Sequence, residues 1–96
     1  MIVNRRTFIL RQGRRQSAIE AIKATYARDP STVKLRWYTS DIGPFDQLVM
    51  EMEFQDLAEY NKYWTAFDPG EDFWKGWFDL TATGGTNEIW EVVYQN

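Results

Sequence analysis

Two segments of this chain can pair in only one register without conflict. Residues 32–40, TVKLRWYTS, set Val33, Leu35, Trp37 and Thr39 on one side of an extended strand and Lys34, Arg36 and Tyr38 on the other. Residues 47–54, QLVMEMEF, alternate likewise, with Leu48, Met50, Met52 and Phe54 opposed to Val49, Glu51 and Glu53. Between them Asp41-Ile42-Gly43-Pro44-Phe45-Asp46 reads as a turn. A loop over 42–45 sets Asp41 against Asp46, so that paired residue numbers sum to 87. Arg36 then faces Glu51 and Lys34 faces Glu53, while Trp37 meets Met50 and Leu35 meets Met52. A slip of one residue would oppose charged to apolar side chains. Each ion pair is worth only ~0.2–1 kcal/mol, so the pairs select register more than they stabilise.

The remaining elements follow from periodicity. Residues 2–10 read as a strand, with Ile2, Asn4, Arg6, Phe8 and Leu10 on one face and Val3, Arg5, Thr7 and Ile9 on the other. Gln12-Gly13 ends it. Residues 14–28 have helical spacing, with Ala18, Ile19, Ile22 and Tyr26 on one stripe and Ser17 and Glu20 spaced as a capping box. Asp29-Pro30-Ser31 should stop this helix. Asp56, with Glu59 three residues on, opens a second helix whose buried stripe is Leu57, Tyr60, Asn61, Trp64 and Phe67. Asp68-Pro69-Gly70 breaks it. A short third helix over 71–80 should bury Phe73, Trp74, Trp77 and Phe78. Thr83-Gly84-Gly85-Thr86 reads as a loop and 87–95 as a last strand. The order βαββα(α)β, in a single domain over 1–96, is the α+β ferredoxin-like arrangement: a four-stranded antiparallel sheet with helices on one face.

Composition removes whole classes of function. The chain holds 11 cations against 14 anions, a net charge of −3, which argues against a nucleic-acid or acidic-membrane binder. It has no His and no Cys. Disulfides, Cys/His zinc, thiolate chemistry, a Ser-His nucleophile and His-ligated haem are thereby excluded. No apolar run approaches the ~20 residues of a membrane span. Met1-Ile2-Val3 meets Arg5-Arg6 too soon for a signal peptide, so a cytoplasmic protein is expected. Five Trp, five Tyr and six Phe are hard to hide in 96 residues. Some of them should line a ligand cavity or a subunit interface, where Trp and Tyr are enriched. Residues 1–36 carry nine of the 11 cations and two anions, and the rest of the chain carries 12 anions. Folding the halves onto each other, or onto a second copy, balances this asymmetry. The sheet face away from the helices, with Val3, Thr7, Ile9, Tyr38, Val49 and the two ion pairs, is half apolar. A homodimer that stacks two such faces would cover it.

Several segments resemble a known family. They are Arg6-Thr7-Phe8-Ile9-Leu10-Arg11-Gln12-Gly13-Arg14, Arg36-Trp37-Tyr38-Thr39, Gly43-Pro44-Phe45, Glu51-Met52-Glu53-Phe54 and Gln55-Asp56-Leu57-Ala58-Glu59-Tyr60. Together they resemble the NIPSNAP branch of the dimeric α/β-barrel superfamily, over nearly the whole chain. The resemblance implies a ferredoxin-like protomer and a homodimer whose sheets form a shared barrel. It also implies a pocket between helices and sheet, as in the antibiotic-biosynthesis monooxygenases. Those cofactor-free enzymes use Asn and Trp around a polycyclic substrate, and the matching positions here are Asn4 or Arg6 on the first strand and Tyr60 and Trp64 on the helix. The superfamily's haem enzymes use a His that this chain lacks.

The candidate ligand-binding residues are therefore Arg6, Asn4, Trp37, Tyr60, Trp64, Trp74 and Trp77. Arg6 sits among residues expected to meet the helices and needs a partner there. A ligand carboxylate or phenolate would serve, and so would an acid such as Asp79 or Glu91. The tryptophans could wall an aromatic pocket or simply fill the core. No metal or cofactor is expected: Asp68, Glu71 and Asp72 read as solvated acids at a helix start, and Thr83–Thr86 precedes a strand rather than a phosphate-binding helix. The basic turn at Arg11, Arg14 and Arg15 reads as solvated. The pocket face offers no carboxylate to act as a base, so whether there is catalysis stays open. Binding of a small apolar or aromatic molecule leads, and a cofactor-independent monooxygenase or related isomerase is the alternative.

Overall fold

The computed structural model describes residues 1–27, 33–40 and 42–96. The expected helix stop at Asp29-Pro30-Ser31, and Asp41 with its pairing to Asp46, lie outside the described residues. The elements are β1 (Ile2–Leu10), α1 (Arg15–Tyr26), β2 (Leu35–Thr39), β3 (Gln47–Phe54), α2 (Leu57–Ala66), α3 (Glu71–Leu80) and β4 (Thr81–Glu91). The strands form one sheet in the order β2-β3-β1-β4, and every neighbouring pair is antiparallel. This is the ferredoxin-like α+β fold, with β1 and β3 central.

The β2–β3 register is the one that charge and apolarity select. Leu35 pairs with Met52, Arg36 with Glu51, Trp37 with Met50 and Tyr38 with Val49. Backbone bonding carries the register one pair further, Glu53 N donating to the Lys34 carbonyl at 3.1 Å. One ion pair differs from expectation. Lys34 Nζ lies 3.9 Å from Glu53, but the Glu51 carboxylate reaches across to Arg5 on β1, at 3.4 Å. Arg5 is also opposite Glu51 in the sheet, so one carboxylate has a cation on each flank, and the β1 cation holds it.

The last strand also differs. Thr81–Glu91 is continuous β structure, so Thr83–Thr86 is not a loop, and residues 92–96 lie beyond the strand. Paired numbers between β1 and β4 shift by two between Thr7↔Thr86 and Ile9↔Ala82, which marks a bulge. The glycines are there for backbone reasons. Gly84 has φ +104°, and a Cβ on Gly85 would stand 2.5 Å from the Thr7 carbonyl oxygen. Past the strand, Val92 N donates to the Met1 carbonyl, and Gln95 comes back to a hollow bordered by Lys34, Arg36, Tyr38, Glu51 and Glu53.

The helices cover the face carrying Asn4, Phe8, Leu10, Leu48, Met50, Met52 and Phe54. One buried cluster joins Leu10, Ala18, Ile22, Leu48 and Trp77; a second joins Met50, Met52 and Phe54 to Tyr60, Tyr63 and Trp64. Phe8 and Trp37 touch both. The expected stripe of α1 is inside. That of α2 is rotated: Tyr63 packs inward with Tyr60, Trp64 and Phe67, whereas Leu57 is 56% exposed and Asn61 is exposed. Leu57 is the first residue of the helix, where the chain enters from solvent. On α3, Phe73 and Trp77 turn inward, while Phe78 is 65% exposed because the ten-residue helix covers the sheet with one face only. Asp56 caps α2, accepting from Glu59 N at 2.9 Å, and Glu59 reaches back to Gln55 N. The expected Ser17–Glu20 box does not form, since α1 starts at Arg15 and Arg14 provides no side-chain cap.

The opposite sheet face is open. It carries Val3, Thr7, Ile9, Tyr38, Val49 and Trp90 among Arg5, Arg36, Glu51 and Glu88, with Tyr38 and Trp90 well exposed. No helix among the described residues is long and apolar enough to cross a membrane.

Two glycine substitutions test this description in opposite directions. Gly85→Ala should destabilise by about 1–3 kcal/mol in urea unfolding, because its methyl group meets backbone that cannot move aside. Gly76→Ala, in mid-α3 with nothing near its added Cβ, should stabilise by about 0.5–1 kcal/mol.

Candidate functional site

The alternation of β1 delivers Asn4, Arg6, Phe8 and Leu10 to the helix side, and the chemistry changes along that row. Leu10 is core. Phe8 stacks on Trp37 at 5.6 Å between ring centres and meets the edge of Trp77 at 5.2 Å. Arg6 comes next, then Asn4, which is fully buried. An apolar core thus gives way to a polar cluster within one strand.

Every polar atom of the Asn4 side chain is engaged within the protein. Its Nδ2 donates to Asn87 Oδ1 at 2.7 Å and to the Glu88 carbonyl at 3.0 Å, and its Oδ1 accepts from Arg6 Nε at 3.3 Å. Asn4 therefore orients its neighbours, with both amide hydrogens donated and one bond accepted at its oxygen. Arg6 is half-buried. Its Nη2 donates to the Tyr60 hydroxyl at 3.3 Å, and its Cζ lies 3.9 Å from the centre of the Trp64 ring, a cation–π contact. Neither Asp79 nor Glu91 is its partner: among the described residues no carboxylate pairs with Arg6. Asn87 Nδ2 also donates to the Tyr60 hydroxyl, at 3.4 Å. The phenol of Tyr60 is held below its ordinary pKa of 10.0. The Asn87 hydrogen bond is the main cause; burial opposes it, and the hydrogen bond and charge of Arg6 add to it.

Arg6 also borders a small cavity of about 60 Å³. Phe8, Trp37, Trp64, Trp74 and Trp77 wall it, with Tyr26, Phe67 and Phe73. Five of the seven residues singled out from sequence thus surround one space, namely Arg6, Trp37, Trp64, Trp74 and Trp77. Asn4 and Tyr60 lie on the polar side of Arg6 instead. Trp74 is 39% exposed, so it reaches from the cavity to solvent. The indole nitrogens of Trp37 and Trp64 are buried and have no hydrogen-bond partner. A much larger open groove, about 880 Å³, runs between α1 and the α2–α3 turn. It is lined by Ala21, Ala24, Thr25 and Ala66 and by the turn from Phe67 to Phe73 with its acids Asp68, Glu71 and Asp72, and it shares Phe67 and Phe73 with the smaller cavity. Among the described residues no cluster of acids is arranged to hold a metal ion.

Asn87 is the member of this site that the sequence does not announce. Its signal is its position opposite Arg6 in the β1–β4 ladder, which depends on the two-residue bulge.

The lowered Tyr60 pKa has a definite sign. The folded state ionises Tyr60 more readily than the unfolded chain does, so this contribution to stability is complete above pH 10.0 and is lost as pH falls through the folded value. An ultraviolet titration should show one tyrosine ionising ahead of the others. Tyr60→Phe should remove that transition, and Asn87→Ala should move it back toward higher pH.

No family model matches this chain, and no curated protein does. Solved structures do. A NIPSNAP-like domain protein from Burkholderia xenovorans superposes with a TM-score of 0.80 at 19% identity, over 99% of this chain and 88% of that one. A NIPSNAP family protein of unknown function from Agrobacterium tumefaciens gives 0.72 at 21%, over 94% and 86%. A proposed antibiotic biosynthesis monooxygenase from Nitrosomonas europaea gives 0.77 at 13%, over 98% and 100%. The chain therefore shares its fold with NIPSNAP-like proteins and with a protein described as an antibiotic biosynthesis monooxygenase.

Proposed function

We propose that this chain is a homodimeric NIPSNAP-like binding protein that takes a small, flat apolar or aromatic molecule between its helices and its sheet. The observation that carries the reading is that Phe67 and Phe73 line both an aromatic-walled cavity on the cation side of the core and a wider groove, which makes them the partition in this reading. At about 60 Å³ the cavity is far below the ~300–1,000 Å³ of ligand pockets. Displacing the two rings joins the spaces and supplies the missing volume. The local backbone favours such movement: Phe67 stands just past the end of α2 with extended geometry, and Gly70 follows at φ +95°. The walls suit a planar ligand, because offset and edge-on aromatic contacts already dominate this layer.

The homodimer rests on the open sheet face. Its exposed Tyr38 and Trp90, with Val3, Ile9 and Val49 between charges, are the mixture an interface buries. The alternating charges, Arg5 and Arg36 against Glu51 and Glu88, allow one face to meet its own two-fold copy with opposite charges in register. A cofactor-independent monooxygenase or related isomerase acting on an aromatic substrate is the second reading. It is favoured by Tyr60, whose phenol is drawn toward ionisation by Asn87 and by Arg6.

Light scattering at micromolar concentration should give twice the chain mass of 11.4 kDa; a monomer there removes the dimer. Flat aromatic probes such as 1,8-ANS or naphthalene derivatives should quench the tryptophan fluorescence of the folded protein. Phe67→Ala should speed their association several-fold by thinning the partition, and the binding reading fails if no such probe binds either form. Oxygen uptake with hydroxylated polycyclic substrates decides between binding and oxygenation.

A further inference from the structure

The polar end of the cavity holds more hydrogen-bond donors than acceptors, and the surplus carries a charge. Arg6 has five N–H groups, of which its partners among the described residues, Asn4 Oδ1 and the Tyr60 hydroxyl, use two. Both partners are neutral. The Tyr60 oxygen already receives two donors, Arg6 Nη2 and Asn87 Nδ2, and its own O–H has no acceptor among the described residues. The buried indole N–H groups of Trp37 and Trp64, both on the cavity wall, have none either. The side-chain acceptors nearby, Asn4 Oδ1 and Asn87 Oδ1, each already take one donor and carry no charge. Arg6 thus keeps free donors and no counter-charge at the edge of solvent, where an anion can reach them.

We propose that Arg6, where the cavity meets the polar cluster and with the Tyr60 hydroxyl beside it, is a receptor for a carboxylate, so that the ligand class is a flat apolar acid. This deepens the binding reading above and rests on it. A carboxylate brings two oxygens and about four lone-pair sites, which matches donors from Arg6 and the Tyr60 hydroxyl. A single negative charge is what the site can neutralise, because Arg6 is the one cation of the cavity wall; a phosphate monoester would carry an excess. The remainder of the ligand would lie against the tryptophans. Trp64 keeps the guanidinium in place from one side through its ring face, and Asn4 keeps it from the other through Nε, so the donors are positioned before the ligand arrives. Neither Asn4 nor Trp64 carries charge, so neither competes with the ligand for Arg6.

The test compares two probes that differ only in the head group, 2-naphthoate and 2-acetonaphthone. The ketone keeps the ring and one acceptor oxygen but has no charge. Calorimetric titration of the wild-type protein should show the acid binding about tenfold or more tightly than the ketone, the scale of charge-assisted hydrogen bonds gained. Arg6→Gln should weaken the acid far more than the ketone and bring the two affinities together, with circular dichroism reporting that the variant is folded. Equal affinity of the two probes for the wild type overturns the carboxylate receptor while the binding reading stands. A preference that survives in Arg6→Gln overturns the assignment to Arg6. Should that variant fail to fold, the wild-type comparison alone decides, and if neither probe binds, the binding reading fails and the receptor with it.

Discussion

The buried amide of Asn4 is the constraint on which the rest of the helix side depends. A side chain with no exposed surface must satisfy its donors and acceptor within the protein, and Asn4 does so through two partners on β4 and one on its own strand. Its bonds to Asn87 and to the Glu88 backbone tie β1 to β4 by side chain as well as by ladder. Its bond from Arg6 fixes where a cation stands above the core. Arg6 in turn meets α2 through Tyr60 and Trp64, so a single amide links both central and edge strands to a helix. Losing it would take from exposed Asn87 and half-buried Arg6 the partner that orients them.

The aromatic load is organised around this polar cluster and not spread evenly through the interior. Phe8, Trp37, Trp77 and Phe73 form a run of stacked and edge-on rings, and a second run links Phe54, Tyr63, Trp64 and Phe67. The runs approach each other at the small cavity beside Arg6. Rigid planar side chains leave such gaps where they cannot interdigitate fully, and the gap here falls at the boundary between apolar and polar chemistry. A site with an apolar wall and one oriented cation is therefore a by-product of how the two aromatic runs are joined.

Much of this fold is legible in the sequence, because most of it is written in periods of two. The β2–β3 register follows from charges and apolar residues that agree in one alignment only, and the same alternation places Asn4, Arg6 and Phe8 on the helix side. What escapes is whatever depends on the third dimension first. The β4 bulge hides behind two glycines that look like a loop, because glycine's reason for being there is the approach of the Thr7 carbonyl. Asn87 escapes for the same reason, since its place opposite Arg6 is counted across that bulge. The partner of Arg6 was sought among acids, whereas the structure surrounds it with an amide, a phenol and an indole face. On α2 the rule of 3.6 selects Leu57 and Asn61, but the sheet's twist and the entry of the chain turn Tyr63 inward instead.

The strand order has a consequence for how the protein is made. β1 is the first strand of the chain and a central one, yet its neighbour β4 is the last. During synthesis β1 can acquire β3 on one side once the hairpin has emerged, but its other edge stays bare until nearly the whole sequence is available. That edge carries Val3, Phe8 and Ile9, a composition that invites pairing with a neighbouring nascent chain. The arginines at positions 5 and 6, placed in the middle of that edge, put charge where a wrong strand would have to lie. They act as gatekeepers of the unfinished sheet before they serve the finished one.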